Sequence, residues 1–433
     1  MTVSSPTGSP MATRAALSSV AGSALEWLDF AAYGAIAATV LPRLFFPAAD
    51  PTSATLAAFA TFSVGFIARP LGGLVCGYLG DRLGRRRMLV FTFILMGVCS
   101  FLIGVLPTYA SVGAWAPLAL VSLRFAQGFA LGGEVTGSQL LTMEHAPPER
   151  RGFYSSFIAM GSPLAQVLAN ALLFGVAALM SSEQFDAIGW RVPFLFSFVL
   201  VALGLYIRMK VSETPAFEQR QQAPAQVAAH IPTMLRLALV WVAPSVGYFI
   251  AAVYSLNYAV TQLGLNKQTA FGILIVAHLC SMLAMAAGGL LADRRGRRRS
   301  LLLASSLMLV AMASFFPLVA TGHPLPVALG TVALLCAVQL HAGIQPAYFA
   351  EAFPAAVRYR GSAVGYNLAN LLGSCAPLLA TWLNAEFAGA WWPMLAVGIA
   401  LNLLSLAAIY RGPEAWQPPL GTPAAEPALA CGR

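Results

Sequence analysis

The sequence predicts an all-helical membrane protein: twelve transmembrane helices in two pseudo-symmetric six-helix bundles. Three observations lead there. Hydrophobic residues make up 58% of the 433 positions and charged residues only 9%, against about 25% charged in soluble domains. Apolar runs near the ~20 residues that cross a bilayer recur from Val20 to Tyr410. An eleven-residue stretch also occurs twice, as Gly77 to Arg87 and as Gly289 to Arg299, both reading G-x-L-x-D-R-x-G-R-R-R. Such a distant repeat marks two joined halves of similar design.

The net charge of +9 raises the possibility of a nucleic-acid partner, but the placement of the charges excludes it. Arg43, Arg191 and Lys267 fall on one side of the expected spans, and Arg69 and Arg124 lie inside apolar segments. The remaining basic residues gather on the other side, which the positive-inside rule makes cytoplasmic, with both termini. The six cysteines include no CxxC pair, and most lie in apolar runs. They read as packing residues, with no disulfide framework, metal site or cofactor indicated. The polar start does not read as a secretory leader.

In order, the expected spans are about 20–41, 54–79, 88–106, 115–142, 152–180 and 190–209, then 233–262, 268–292, 299–320, 325–350, 359–385 and 389–410. Residues 1–19 form a cytoplasmic amino-terminal segment and 20–209 the first bundle. Residues 210–232, with a Gln/Ala/Pro run, form a cytoplasmic linker. Residues 233–410 are the second bundle, and 411–433 a Pro/Ala-rich cytoplasmic tail.

The first span carries Glu26, Asp29 and Tyr33, which share a helix face with Gly22. Carboxylates in a span are costly unless they face protein or water, so this face handles protons or substrate, or Glu26 lies near enough to the end to reach water. The second span ends in Arg69-Pro70-Leu71-Gly72-Gly73. There the arginine snorkels, pairs with a carboxylate or meets substrate, and the glycines serve close packing. The fourth span places Arg124, Gln127, Glu134 and Ser138 on one face. Arg124 and Glu134 are about 15 Å apart along the helix and need partners elsewhere. Arg124 is expected to face Asp29 and Glu26.

Gln166 and Asn170 in the fifth span either line a cavity or make packing hydrogen bonds. Trp190 and Arg191 open the sixth as an interface anchor. The second half is less charged. It offers Tyr248, Tyr254, Asn257 and Tyr258 in the seventh span, His278 in the eighth, and Gln339, His341 and Gln345 in the tenth. Tyr366 and Asn370 follow in the eleventh. Uncharged donors and aromatic rings suit a ligand's ring, hydroxyls or methyls.

In the doubled stretch, Gly77 and Gly289 permit close helix approach. Asp81 and Asp293 are placed to pair with a basic group or the start of a neighbouring helix. Arg82, Arg85, Arg294 and Arg297, spaced by Gly84 and Gly296, hold the cytoplasmic face. Together the two copies read as a jointed cytoplasmic gate.

The doubled stretch resembles the signature loop of the major facilitator superfamily, and Arg124-Phe125-Ala126-Gln127-Gly128 resembles its R-x-x-Q-G motif. More narrowly, four stretches resemble the metabolite:proton symporter family in its shikimate-type and osmolyte-type branches. They are Glu26-Trp27-Leu28-Asp29-Phe30 with Tyr33-Gly34, Arg69 to Gly73, Gly132-Gly133-Glu134, and Gly189 to Phe194. The likeness implies secondary active transport with alternating access in a bacterial inner membrane, and proton-coupled uptake of a shikimate-like acid, a dicarboxylate or a betaine. It implies proton coupling at Asp29, Glu26, Arg124 and Glu134. Substrate would meet Tyr33, Arg124, Gln127, Gln166, Asn257, His341, Gln345, Tyr366 and Asn370. The expected partners are protons, a small molecule and the lipid bilayer, with the chain working as a monomer. A proton-driven exporter is the alternative, although Met160-Gly161-Ser162-Pro163 lacks the full span-five motif of drug exporters. An enzyme is not expected, since no nucleophile–base pair or phosphate loop stands in the sequence.

Overall fold

The computed structural model describes residues 24, 27–47, 50–83, 85–132, 150–197 and 227–414. Glu26, Gly84, Glu134, the 1–19 segment, most of the 210–232 linker and the tail beyond residue 414 lie outside them. So do the side chains of Asp81, Arg82 and Arg85 and the environment of Gly77.

The described residues form helices joined by short turns and loops, with no strand among them. Numbered by span, the helices are α1 (27–45, with a turn at Val40), α2 (Pro51–Leu83), α3 (Arg85–Val105), α4 (Trp115–Gly132), α5 (Arg151–Ala159 and Gly161–Leu179) and α6 (192–197). The second half has α7 (Ile231–Phe249, a π-turn Ile250–Tyr254, then Ser255–Thr261), α8 (Lys267–Arg295), α9 (Arg297–Ala320), α10 (Pro324–Glu351), α11 (Ala355–Ser374 and Ala376–Glu386) and α12 (Trp392–Tyr410). Proline explains two interruptions. Pro163 and Pro377 lack the N–H that would bond back across Met160 and Cys375.

Among the described residues, seven helices are long and apolar enough to cross a membrane. Their outward faces keep large apolar side chains exposed, such as Leu283 at 75% and Leu325 at 70%, which a bilayer covers and water does not.

The pairing of helices repeats with an offset of six. In the first half α2 packs on α4 and α3 on α4; in the second, α8 packs on α10 and α9 on α10. Across the halves α5 packs on α8, and α2 on α11. The two-half design read from the doubled stretch is therefore present in the packing.

Backbone-to-backbone contact builds each half. A Cβ at Gly128 would overlap the carbonyl of Gly65, and one at Gly132 the carbonyl of Arg69. Small residues thus let α2 and α4 touch, as expected where lipid supplies no hydrophobic drive to associate. Gly288 and Gly343 do the same for α8 and α10 against Leu340 and Met285.

The expectation of Trp190 and Arg191 as an interface anchor does not hold. Trp190 is fully buried, packed edge-on against Phe45 and Phe194. Arg191 donates to the carbonyls of Gly104 and Leu106 at 2.8 and 2.7 Å, satisfying acceptors at the end of α3. Hydropathy alone did not show that α3 ends beneath them.

Candidate functional site

Asp29 is buried within α1. Ser100 of α3 donates to its Oδ2 and Ser197 of α6 to its Oδ1. Gln127 of α4 donates from Nε2 to Ser100 Oγ at 2.7 Å, and Arg124 donates from Nη1 to Gln127 Oε1 at 2.5 Å. A continuous relay of donors thus runs from Arg124 through Gln127 and Ser100 to the carboxylate. The sequence expectation placed Arg124 opposite Asp29, and the structure brings them together, through two intermediaries rather than by direct pairing.

Burying a guanidinium needs compensation. Arg124 Cζ lies 3.8 Å from the ring centroid of Tyr33 and 4.4 Å from that of Phe30. Such contacts contribute about 2 kcal/mol when desolvated. Arg124 Nε and Nη2 and the Tyr33 hydroxyl are buried without a hydrogen-bond partner. These are free donors on one arginine, beside a hydroxyl, and they fit a carboxylate. Arg69 is also buried, with Trp27, Phe30 and Phe66 4.7, 4.4 and 4.1 Å from its Cζ.

The second half contributes an aromatic and amide cluster. Trp241 of α7 stacks on Tyr366 of α11 at 5.7 Å and packs at 5.7 Å on His341 of α10. Its Nε1 donates to Asn370 Oδ1 at 3.1 Å, and Ser245 Oγ donates to the same oxygen at 2.9 Å. Both ring nitrogens of His341 and the Asn370 amide nitrogen have no hydrogen-bond partner. Gln345 is buried one turn beyond His341.

Two other expected site residues tie the halves together. Gln166 Nε2 donates to Tyr248 Oη at 2.9 Å. Asn257 Nδ2 donates to the carbonyl of Ala38 at 2.7 Å, so its amide serves the contact between α7 and α1.

The second basic stretch is built around Asp293. Its Oδ1 and Oδ2 each accept a backbone N–H at the start of α5, from Gly152 and Phe153, both at 2.8 Å. Helix starts carry unpaired N–H groups and a positive dipole end, so a carboxylate there is stabilising by up to ~2 kcal/mol. Arg297 Nη1 bonds Asp293 at 2.7 Å, and its Nε and Nη2 bond Glu351 at 3.3 and 3.2 Å. Arg294 is exposed instead. Gly296 has φ 87° and ψ 160°, a conformation essentially restricted to glycine, which turns the chain between α8 and α9. Gly289 lies against α5: a Cβ there would sit 2.7 Å from the Gly152 carbonyl oxygen.

A model of the Major Facilitator Superfamily matches residues 15–376. The chain belongs to that superfamily. Its curated relatives include "Inner membrane metabolite transport protein YhjE" of Escherichia coli K12, 38% identical over 405 residues that cover 90% of this chain and 92% of the relative. The "Shikimate transporter" of the same organism is 38% identical over 392 residues, 88% of this chain and 90% of that one. A "Proline/betaine transporter" of Salmonella typhimurium is 33% identical over 379 residues, 84% and 76%. Among solved structures, a D-xylose-proton symporter superposes with a TM-score of 0.75 at 18% identity, over 92% of this chain and 98% of that one. This major facilitator chain is therefore a secondary transporter of the membrane, not an enzyme.

Several residues at the site escaped the sequence reading. Ser100 and Ser197 gave no signal, because lone serines are ordinary in apolar spans. The signals that could have found the others are that Trp241 is an aromatic one turn before Ser245 and that Glu351 is a carboxylate ending the tenth span on the basic side.

Proposed function

We propose that this transporter takes up a small organic carboxylate or zwitterion together with protons by alternating access. In this reading the bundles 20–209 and 233–410, joined by the 210–232 linker, rock about a central site. The basic stretches face the bacterial cytoplasm, as do both termini, and the chain works as a monomer. One observation carries the reading: a carboxylate buried in a spanning helix is linked by hydrogen bonds to a buried arginine with free donors. Intramembrane ionisable groups of this kind mark ion and substrate paths. Asp29 carries the proton, Glu26 and Glu134 assist, and Arg124 with Tyr33 and Gln127 receives the substrate carboxylate. Gln166, Asn257, His341, Gln345, Tyr366 and Asn370 face the rest of the substrate.

The names of the relatives, which include a shikimate and a proline/betaine transporter, support a carboxylate-bearing substrate. Asp81, Arg82 and Arg85, spaced by Gly77 and Gly84, would gate the cytoplasmic side together with Gly289, Asp293, Arg294, Gly296 and Arg297. Coupling arises because proton and substrate favour the same state of the bundles.

The test is uptake of labelled shikimate, proline and betaine into proteoliposomes with an imposed pH gradient. Accumulation with acid outside, abolished by a protonophore, supports the reading. Transport of one of these compounds that ignores the gradient overturns proton coupling. Net efflux under the same gradient favours the exporter.

A further inference from the structure

We propose that Ser100 and Ser197 are positioning residues that form a two-state hydroxyl cradle, built to hold Asp29 buried in either charge state. The inference rests on the reading of Asp29 as the proton carrier.

A serine hydroxyl has one proton to donate and two lone pairs to accept with. Each of these serines has two acceptors within reach. Ser100 Oγ faces Asp29 Oδ2 and, at 3.0 Å, the carbonyl of Met96 one turn back. Ser197 Oγ faces Asp29 Oδ1 and, at 3.0 Å, the carbonyl of Pro193 one turn back. The single proton on each cannot serve both at once. The cradle therefore has two arrangements.

With Asp29 ionised, both hydroxyls turn to the carboxylate, and each oxygen accepts one charge-assisted hydrogen bond. With Asp29 protonated on Oδ1, that oxygen becomes the donor. Ser197 then accepts from it and turns its own proton to the Pro193 carbonyl. Ser100 continues to donate to Oδ2, which is now the carbonyl oxygen. Protonation on Oδ2 works by the same exchange at Ser100, whose second lone pair still accepts from Gln127. One proton is gained from the water side, none is lost, and every donor in the cradle keeps an acceptor.

A buried polar group left unpaired costs about 1–3 kcal/mol, so this matters for a group that must change charge away from water. A hydroxyl does this with a single oxygen. Alanine offers nothing, an amide N–H cannot accept, and a carbonyl cannot donate. Both serines sit on helices other than that of Asp29, so the cradle also fixes α3 and α6 around α1. The charged and titratable groups facing Asp29 among the described residues are Arg124 of α4 and Cys99 of α3; α6 presents Ser197.

The experiment is infrared difference titration of the reconstituted full-length protein, without substrate. The Asp29 carboxyl band is assigned by its loss in Asp29→Asn. Ser100→Ala and Ser197→Ala each remove one donor to the charged form, so each should move the protonation midpoint of that band to higher pH by about one unit, a tenfold change. Ser100→Thr and Ser197→Thr, which keep the hydroxyl, should restore the original midpoint. A purely structural role would lower thermal stability in the alanine variants while the midpoint stayed put, and that result overturns the proposal. Equal shifts in the alanine and threonine variants overturn it too, as does the absence of any band sensitive to Asp29→Asn. If the band titrates as described but uptake ignores a pH gradient, the cradle stands and proton-coupled uptake falls.

Discussion

Asp293 of the second half caps Gly152 of the first, its Oδ1 2.8 Å from the glycine's backbone nitrogen. A side chain from one bundle thus completes the hydrogen bonding of a helix in the other. The contact is available only when the bundles meet on this side.

Gly152 admits no side chain. A Cβ there would sit 2.6 Å from Asp293 Oδ1 and 2.7 Å from the Gly289 carbonyl oxygen. In a helix, alanine is favoured over glycine by roughly 0.5–1 kcal/mol, so Gly152→Ala should leave α5 intact. It should nevertheless hold the seam apart at a cost of about 1–3 kcal/mol, slowing uptake about tenfold. Transport assays alongside thermal melting check this; wild-type rates in a folded variant would show that the seam need not close.

Asp29→Asn removes the titrating group but keeps its size. Gradient-driven accumulation should be lost while some substrate exchange across the membrane persists. The measurement is paired uptake and counterflow in proteoliposomes. Full accumulation in the variant would take Asp29 out of proton coupling.

Arg124→Lys keeps the charge but loses the planar fork and its stacking over Tyr33 and Phe30. Substrate affinity should drop about tenfold or more, equivalent to ~1.4 kcal/mol. Binding measured by thermal shift decides it. Unchanged affinity would mean that the carboxylate is held elsewhere.

Trp241→Leu removes the stack on Tyr366 and the hydrogen bond to Asn370. Aromatic pairs are worth about 0.5–1.5 kcal/mol beyond their area, so affinity should weaken about three- to tenfold with gradient coupling preserved. If affinity holds and only stability falls, the cluster is core.

Asp50 begins α2 from outside the membrane segment. Hydrogen bonds from the Ser53 side chain and backbone, and from the Thr52 N–H, hold its carboxyl below the usual aspartate range. A lowered folded-state value means that the cap stabilises the protein above the unfolded value and loses that effect as pH falls through the folded one. Asp50→Ala should therefore melt lower than wild type at neutral pH, with the gap closing in acid. A gap that stays constant across that pH range would show that the carboxylate's charge contributes nothing.

The spans, the doubling and the placing of Arg124 and Gln127 on one buried face of α4 were legible because lipid enforces them. Length, apolarity and period follow from the bilayer whatever the neighbours are. The partner of Asp293 was legible in kind, as a basic group or a helix start, but not in identity: nothing in the repeat names Gly152. The approach of Arg124 to Asp29, through Gln127 and Ser100, was legible in outline. The two serines between helices were not, because hydropathy carries no information about which helices adjoin. Trp190 failed for the same reason. A tryptophan near a span end has the same pattern whether it meets headgroups or the side of another helix.

The bundles are also joined at the end opposite the basic stretch. Lys267, about 42 Å along α8 from Arg295, pairs with Asp186 at 2.5 Å, and Arg43 joins the same carboxylate at 3.0 Å. The Lys267 and Asp186 side chains that bridge the bundles are 14% and 23% exposed, whereas that of Asp293, which bonds the start of α5 across the other seam, is 9% exposed. Mobile ions screen exposed charge far more than buried charge. Dissolved salt therefore acts as a lopsided solvent for this molecule, loosening one mouth while leaving the other clasped.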